Sequence, residues 1–234
     1  VYKRQTGGGT INNGAICTIQ VTFLPTGVEI SNDTIQVDYT DGGVAVNSQR
    51  QVTGEGITPA LLNVVAANPC YFGVVANGGG SSSQSFTLTN LGASQATLIN
   101  ETTMAGDFDF LGGSSPGTGG NCGASLAGGA SCTFFIDFQP TALGPRSTTI
   151  TFNYFDGFAT QNEAHGFQGT GGAPASLTIS DGPTYDYLDK AIGSSTPHLF
   201  TITNGGAVSA TSMVDGGTLA APFVFTGAGY PGDN

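Results

Sequence analysis

Two of the four cysteines have a spacing suited to a bond with each other. Cys122 and Cys132 bracket a loop of Gly, Ala and Ser residues that leads into a β-like run. No second cysteine pair or histidine cluster stands nearby to complete a zinc site, so a disulfide is favoured over the alternative of two free thiols. Closing so short a loop stabilises a fold by about 2 to 3 kcal/mol on the chain-entropy model and indicates an oxidising compartment.

The two histidines do not form a catalytic pattern. His165 and His198 lie beside β-like runs, and a hydrolytic triad needs a nucleophile and an orienting acid around its base. We therefore predict that both are surface or hairpin residues. The sequence offers no general base, so we predict no catalytic residue and a chain that is not an enzyme.

A pair of carboxylates could in principle bind Ca²⁺. Asp107 and Asp109 flank Phe108 at the period of a strand, and Asp156 or Asn153 could join them. We predict solvated outward positions and no metal site instead. The Gly-rich stretches 78–80 and 112–120 do not connect a strand to a helix, as phosphate-binding loops do, so no cofactor is predicted.

Charge and composition exclude several classes of partner. The formal net charge is −11 and 9% of the residues are charged, which argues against nucleic acid or an anionic membrane surface as a partner. No run reaches the roughly 18 apolar residues that span a bilayer, so we expect no membrane insertion. Residues 1–5 resemble the translation of a sequencing adaptor and are excluded from fold reasoning. Any export signal or anchor is expected outside this chain.

An internal repeat organises the sequence. Residues 14–18, GAICT, return as residues 129–133, GASCT, and residues 86–90, FTLTN, return as residues 200–204, FTITN. The period is about 115 residues, the size of a self-contained domain. It predicts the C-terminal half of one repeat over 1–58, a complete repeat over 59–173 and the N-terminal half of a third over 174–234.

Each repeat has the pattern of a β-sandwich. Runs such as 85–89 and 148–154 alternate apolar and polar residues, and turn residues such as Asp156-Gly157 separate them. With 38 Gly and 11 Pro, long helices are not expected. About seven strands per repeat predict an all-β protein of tandem immunoglobulin-like antiparallel β-sandwich domains.

The remaining two cysteines are interpreted through the repeat. Cys17 corresponds to Cys132, but Gly7 stands where its partner is expected. Cys70 corresponds to Tyr185, a residue typical of a buried apolar position. We therefore favour Cys70 as a small core thiol over a bridge between Cys17 and Cys70.

The chain also resembles a known family. Residues 122–156, the run Phe138-x-Pro140-Thr141-x-x-Gly144 and the exit Gly169-Thr170-Gly171 are similar to the choice-of-anchor D repeats of bacterial surface proteins, which belong with the Hydin/ASH-type immunoglobulin-like domains. The resemblance spans residues 6–234. It implies an architectural or adhesive module, usually without catalytic activity of its own.

Two functions follow as expectations. The first is a non-catalytic structural or adhesive segment of an exported bacterial cell-surface protein, located outside the cell. Its partners would be neighbouring repeats in the same chain and a cell-surface protein or glycan. The alternative is a set of accessory modules, including carbohydrate-binding ones, of a larger secreted enzyme.

Overall fold

The structure is a computed structural model that describes residues 9–217 and 219–230. Residues 1–5, interpreted above as adaptor-derived, lie outside the described residues, as does Gly7. The chain divides into two compact units, Val1–Pro59 and Ala60–Asn234. In the described residues no helix has the length and apolar character needed to cross a membrane, and the one helical segment is a 3₁₀ turn, Thr226–Ala228.

The first unit contains one hairpin. Strands β1 (Ile30–Thr40) and β2 (Ala45–Glu55) pair antiparallel, with Ile35 opposite Arg50. The turn is closed by a hydrogen bond from Asp41 N to Val44 O of 3.1 Å. Most side chains of this hairpin are exposed, so within the described first unit no second layer covers it.

The second unit holds a two-sheet sandwich and a shorter flanking pair of strands. The bounds in chain order are β3 (Leu62–Val64), β4 (Cys70–Ala76), β5 (Ser82–Asn90), β6 (Ala96–Glu101), β7 (Phe108–Phe110), β8 (Ser125–Leu126), β9 (Ser131–Phe138), β10 (Gly144–Phe155), β11 (Thr160–Gly172), β12 (Leu177–Ile179) and β13 (Ile202–Asn204). One sheet has the order β3-β5-β9-β7 and the other β4-β11-β10-β6-β8. The predicted all-β, immunoglobulin-like sandwich is confirmed.

The alternation of apolar and polar residues in the sequence corresponds to an alternation of buried and outward-facing side chains in the strands. In β10 the side chains of Ile150, Phe152 and Tyr154 are at most 3% exposed, whereas the Thr and Asn residues between them face outward. These residues meet β5 and β9 of the facing sheet in a core rich in phenylalanine, with Phe134, Phe138, Phe152 and Phe167 almost fully buried. Because successive strand side chains point to opposite faces, a period of two produces this core.

Two features of the sandwich differ from the predicted one. Nine strands form it, where about seven were predicted, because the brief strands β7 and β8 add two pairings. The pairing of β4 with β11 is parallel, with Cys70 opposite Phe167, whereas the other strand pairs of the described residues are antiparallel. Parallel neighbouring strands need a long crossover connection. Here the connection from β4 to β11 runs through most of the sandwich.

The hairpin of the first unit repeats the geometry of the last hairpin of the sandwich. Ile35 lies opposite Arg50 as Ile150 lies opposite His165. The turn bond from Asp41 N to Val44 O has its counterpart from Asp156 N to Ala159 O.

Residues 176–208 likewise repeat the start of the sandwich. Leu177 pairs with Asn204 as Leu62 pairs with Asn90. These correspondences are the ones expected from the repeat, whose domain boundaries stay a prediction.

Candidate functional site

The disulfide holds the loop that carries an edge strand. Cys122 and Cys132 are bridged, with 4.9 Å between their Cα atoms. Cys132 is buried on β9, and the loop between the two cysteines contains β8, which pairs only with β6. Asn121 adds a second tie, because its Oδ1 accepts a hydrogen bond of 2.6 Å from Thr133 N. The bridge thus anchors an edge strand that has few hydrogen bonds of its own.

The other two cysteines are free. Cys17 is exposed, and Cys70 is half-buried and packs against the core. Cys70 Sγ lies 3.3 Å from Gln84 Oε1, and burial raises the pKa of its thiol. This placement agrees with a small structural thiol more than with a reactive one, since reactive thiols have a lowered pKa.

The three carboxylates considered for calcium do not converge. Asp107 Oδ2 lies 3.0 Å from Arg146 Nε, near the start of β10, whereas Asp156 follows the end of that strand. The Oδ1 atom of Asp107 accepts a hydrogen bond of 2.7 Å from Thr141 Oγ1. Asp109 is exposed, and its Oδ1 accepts a bond from the Phe110 backbone. Asp107 is therefore a half-buried residue with a cationic partner, which corrects the prediction of a solvated position.

Asp156 stabilises a hairpin turn. Its Oδ1 accepts hydrogen bonds from Phe158 N at 2.7 Å and Ala159 N at 2.6 Å, and its Oδ2 accepts one from the Gln161 side chain. These donors, the Ala159 amide foremost, hold the pKa of this carboxyl below its usual range. No group of three or more His, Cys, Asp or Glu side chains suited to a metal ion occurs in the part of the chain that the structure describes.

Of the two placements predicted for His165, the surface is wrong, because the residue lies on the β10–β11 hairpin but is buried. Its side chain is 1% exposed and lies against Phe86 and Phe167, with ring centroids 6.3 and 5.4 Å away. Burial lowers the pKa of the imidazole, against smaller raising effects of the Ala67 backbone and Glu163. Its Nε2 has no hydrogen-bond partner. His165 lies two residues before Phe167 in the same strand, so both side chains point to the same face of the sheet. This spacing was the signal in the sequence that indicated a buried position.

Asn90 is a buried polar centre that the sequence analysis noted only as the last residue of the repeated run 86–90. Its Oδ1 accepts hydrogen bonds of 3.0 Å from the backbone N–H groups of Leu61 and Gly92. Its Nδ2 donates to three backbone carbonyls, those of Ser94, Leu126 and Ala127. One side chain therefore joins β3, β5 and the disulfide loop.

An exposed aromatic cluster lies among residues 185–223. Tyr185 stacks on His198 with ring centroids 3.8 Å apart, and Phe200 meets both rings edge-on. Tyr187 lies 5.9 Å from Phe223. His198 Nε2 is 3.1 Å from Asp181 Oδ2, and the hydrogen bonds of Ser180 and His198 lower the pKa of Asp181. The prediction for His198 holds only partly, since its side chain is 26% exposed.

Comparisons with known proteins give only weak partial resemblances. No family model matches the chain, and no curated protein matches it. The VesB protease of Vibrio cholerae is 22% identical over 47% of this chain and 31% of its own, with a TM-score of 0.38. The ASH/PapD-like domain 7 of human CEP192 is 12% identical over 47% of this chain and 84% of its own, with a TM-score of 0.35.

A third structure is a protein of unknown function from Porphyromonas gingivalis. It is 10% identical over 62% of this chain and 67% of its own, with a TM-score of 0.38. This chain spans less than a third of the VesB protease. At these TM-scores the resemblances assign neither a family nor an activity to this chain.

Proposed function

We propose that this chain is a non-catalytic structural or adhesive segment of an exported bacterial cell-surface protein, built from tandem immunoglobulin-like repeats of the choice-of-anchor D type. The observation that supports the proposal is a hydrogen-bond pattern shared by residues 61–92 and 176–206. Asn204 Oδ1 accepts bonds of 3.0 Å from Ser176 N and Gly206 N, as Asn90 Oδ1 does from Leu61 N and Gly92 N.

The path of the chain through the sandwich suits a spacer. Ala60 N donates a hydrogen bond of 2.9 Å to Asp156 O, at the turn between β10 and β11. The chain leaves at Gly172, the last residue of β11, which is paired with Ala76. A strand of this length spans about 40 Å. The chain therefore enters and leaves at opposite ends of the sandwich, so each repeat adds length.

The disulfide supports export. Bridges of this kind persist in oxidising compartments and are rare in the cytosol, and Cys122–Cys132 closes a loop of sequence separation 10. The low charge density and the outward-facing Thr and Ser residues suit a domain outside the cell. The absence of catalytic chemistry is part of the proposal.

Surface display tests this role. The 234-residue chain is fused to an anchor protein that displays it on the surface of a non-adhesive bacterium. The bacteria that adhere to protein-coated, glycan-coated and bare surfaces are then counted. An increase in adhesion to one of these surfaces supports the proposal. A tag at the far end of the chain that lies further from the cell surface, without adhesion, also supports it. A chain that produces neither result contradicts it.

A second function is favoured by one observation, the cluster of exposed Tyr185, Phe200 and Phe223 with the half-buried Tyr187. Aromatic faces bind sugars in many accessory modules of secreted enzymes. Retardation of the chain in gels that contain a soluble polysaccharide would support this accessory role. A Tyr185→Ala variant should lose that retardation, while an Ile192→Ala variant, altered at a fully exposed position, should keep it.

A further inference from the structure

A cleft lies on the outer face of the five-stranded sheet, where side chains of β10 and β11 point away from the core. Its volume is about 470 Å³, within the roughly 300 to 1,000 Å³ of typical ligand sites. Ser147 and Thr149 of β10 line one side, opposite Gln168 and Gly166 of β11 in the strand register. Pro69, just before β4, lines the other side. All of these residues belong to the sandwich.

The floor of the cleft is open because Gly166 has no side chain. A β-carbon at this position would lie 3.2 Å from both Asn68 Oδ1 and Pro69 Cβ, so a larger residue would project into the space. Asn68 is itself held in place. Its Oδ1 accepts a hydrogen bond of 2.9 Å from Gly166 N, and its Nδ2 donates one of 3.3 Å to Ala164 O. The cleft therefore has a defined shape.

The backbone beneath the cleft is already paired. β11 pairs with β10 on one side and, from Phe167 onward, with β4 on the other. Before that point the Asn68 side chain bonds to Gly166 N and Ala164 O in place of a strand. Peptides that bind by strand addition need an open strand edge. A ligand in this cleft must therefore be recognised by side chains.

The side chains that line the cleft supply both donors and acceptors. Ser147, Thr149 and Gln168 are exposed on the same face of the sheet. Hydroxyl and carboxamide groups each donate and accept hydrogen bonds. A ligand rich in hydroxyl groups, which also donate and accept, matches this lining.

An aromatic ring flanks the cleft. Tyr71 of β4 is paired with Gln168, so its ring lies on the same face as the Gln168 side chain. The ring is held against the sheet, because Tyr71 Oη lies 3.1 Å from Thr170 Oγ1. The Tyr71 side chain is nevertheless 56% exposed. The electron-rich face of an aromatic ring attracts the C–H groups of a sugar ring, so Tyr71 offers a stacking surface beside the polar groups.

The cleft is uncharged, although the chain has a net charge of −11. None of the described residues that line it carries a charge. Glu163 of β11 points to the opposite face and accepts a hydrogen bond from Val64 N. Arg146 of β10 points there too, next to Asp107. A charged ligand would lose solvation in the cleft without gaining an ion partner, so the lining favours a neutral one.

The aromatic part of this site is not required by the fold. The repeat period places Asp186 at the position of Tyr71. It places Glu55 at the position of Thr170. Charged residues therefore stand where the sandwich has its hydrogen-bonded pair, so that pair belongs to the surface of the sandwich and not to the shared core pattern.

We propose that this cleft binds a neutral oligosaccharide, with one sugar ring stacked on Tyr71 and sugar hydroxyls bonded to Gln168 and Ser147. Thr149 supplies a further hydroxyl on the same side. The proposal rests on the adhesive role proposed above and names a ligand class for it. The two can fail separately, because adhesion to a protein surface or a purely spacing role does not involve this cleft.

Binding of the purified 234-residue chain to an array of neutral and acidic polysaccharides is the first measurement. The neutral polysaccharide that binds best is then titrated, as a short oligosaccharide, into isotope-labelled chain. Amide signals of residues 147–149 and 166–168 should shift and saturate. Tyr71→Ala removes the stacking ring and Gly166→Val fills the floor, so each should weaken binding at least tenfold.

Two variants are the controls. Phe158→Ala removes an aromatic ring that is 85% exposed but lies outside the cleft, and it should bind like the parent chain. Tyr71→Phe keeps the ring and loses only the bond to Thr170, so it should retain binding. The amide spectrum of each variant shows whether its fold is intact.

Binding of acidic polysaccharides alone, or of none, would overturn the proposal. Binding that Tyr71→Ala leaves unchanged would also overturn it, as would binding that Tyr185→Ala abolishes instead, because the sugar would then lie at the aromatic cluster of residues 185–223. Displayed cells that adhere only to protein-coated surfaces would keep the adhesive role and exclude this sugar site.

Discussion

The ring of Phe138 lies against Gly169 so closely that a β-carbon added to the glycine would come within 2.5 Å of the ring carbon Cε1. Phe138 is fully buried and stacks on Phe108, so its ring cannot move away without disturbing the core. Close packing of this kind makes an added methyl group costly. The glycine is thus required by the core and not by a turn.

Gly169→Ala should therefore destabilise the sandwich by about 1 to 3 kcal/mol. The matched control is Gly123→Ala, because nothing lies within 4 Å of a β-carbon at Gly123. Urea unfolding of the full chain, followed by far-UV circular dichroism, measures both changes. Equal stability of the two variants would contradict the close contact of Phe138 with Gly169.

The buried carboxamide of Asn90 is expected to be a second sensitive position. Asn90→Ala removes a partner from two N–H groups and three carbonyls, of which Ala127 O still accepts a bond from Ala130 N. Unsatisfied buried groups cost about 1 to 3 kcal/mol each before relaxation. We expect a net loss of about 3 kcal/mol in the free energy of unfolding. Urea unfolding measures it.

Asn204 provides the internal control for this prediction. It makes the equivalent bonds to Ser176 N, Gly206 N and Val208 O, but it is exposed. Water can replace those bonds, so Asn204→Ala should change stability by only about 0.5 kcal/mol. If both variants lost the same stability, burial would not be the reason for the importance of Asn90.

Features that are determined by neighbouring residues could be predicted from the sequence. The alternation in residues 148–154 predicted β10 and its buried face, and the loop between Cys122 and Cys132 predicted the bridge. The parallel pairing of β4 with β11 was missed because it joins Cys70 to Phe167 across the whole domain. His165 was misplaced because its position was argued only from the absence of a catalytic pattern, although its spacing of two from Phe167 put it on the buried face.

The aromatic cluster after the sandwich was missed for a different reason. Tyr187, Phe200 and Phe223 match core positions, so their types alone indicate burial. Phe200 and Phe223 are nevertheless 39% and 53% exposed. A pattern can mark a core position, but it cannot show which residues pack against it.

Reduction of the disulfide should weaken the sandwich. Opening a loop of sequence separation 10 restores chain entropy to the unfolded state and costs about 2 to 3 kcal/mol. Urea unfolding with and without a phosphine reductant measures the loss. A Cys122→Ala/Cys132→Ala chain should show no further effect of the reductant, and a reductant effect in that variant would assign the loss to another group.

The buried His165 should make stability depend on pH in a defined window. Burial lowers its pKa in the folded state, whereas the unfolded chain binds a proton near pH 6.5. Stability is therefore full above about pH 6.5 and falls as the pH decreases towards the folded-state pKa, because the unfolded state takes up the proton first. The slope contributed by this one group is at most about 1.4 kcal/mol per pH unit.

Unfolding midpoints between pH 8 and pH 5 test this slope. His165→Phe should reduce it, since a phenyl ring of similar size keeps the contacts with Phe86 and Phe167 but cannot titrate. Asp156→Asn is the control, because the lowered pKa of Asp156 confines its contribution to acid loss of stability below about pH 4. A slope that persists in the His165→Phe chain would mean that another group takes up the proton, and the buried imidazole would then have no part in acid sensitivity.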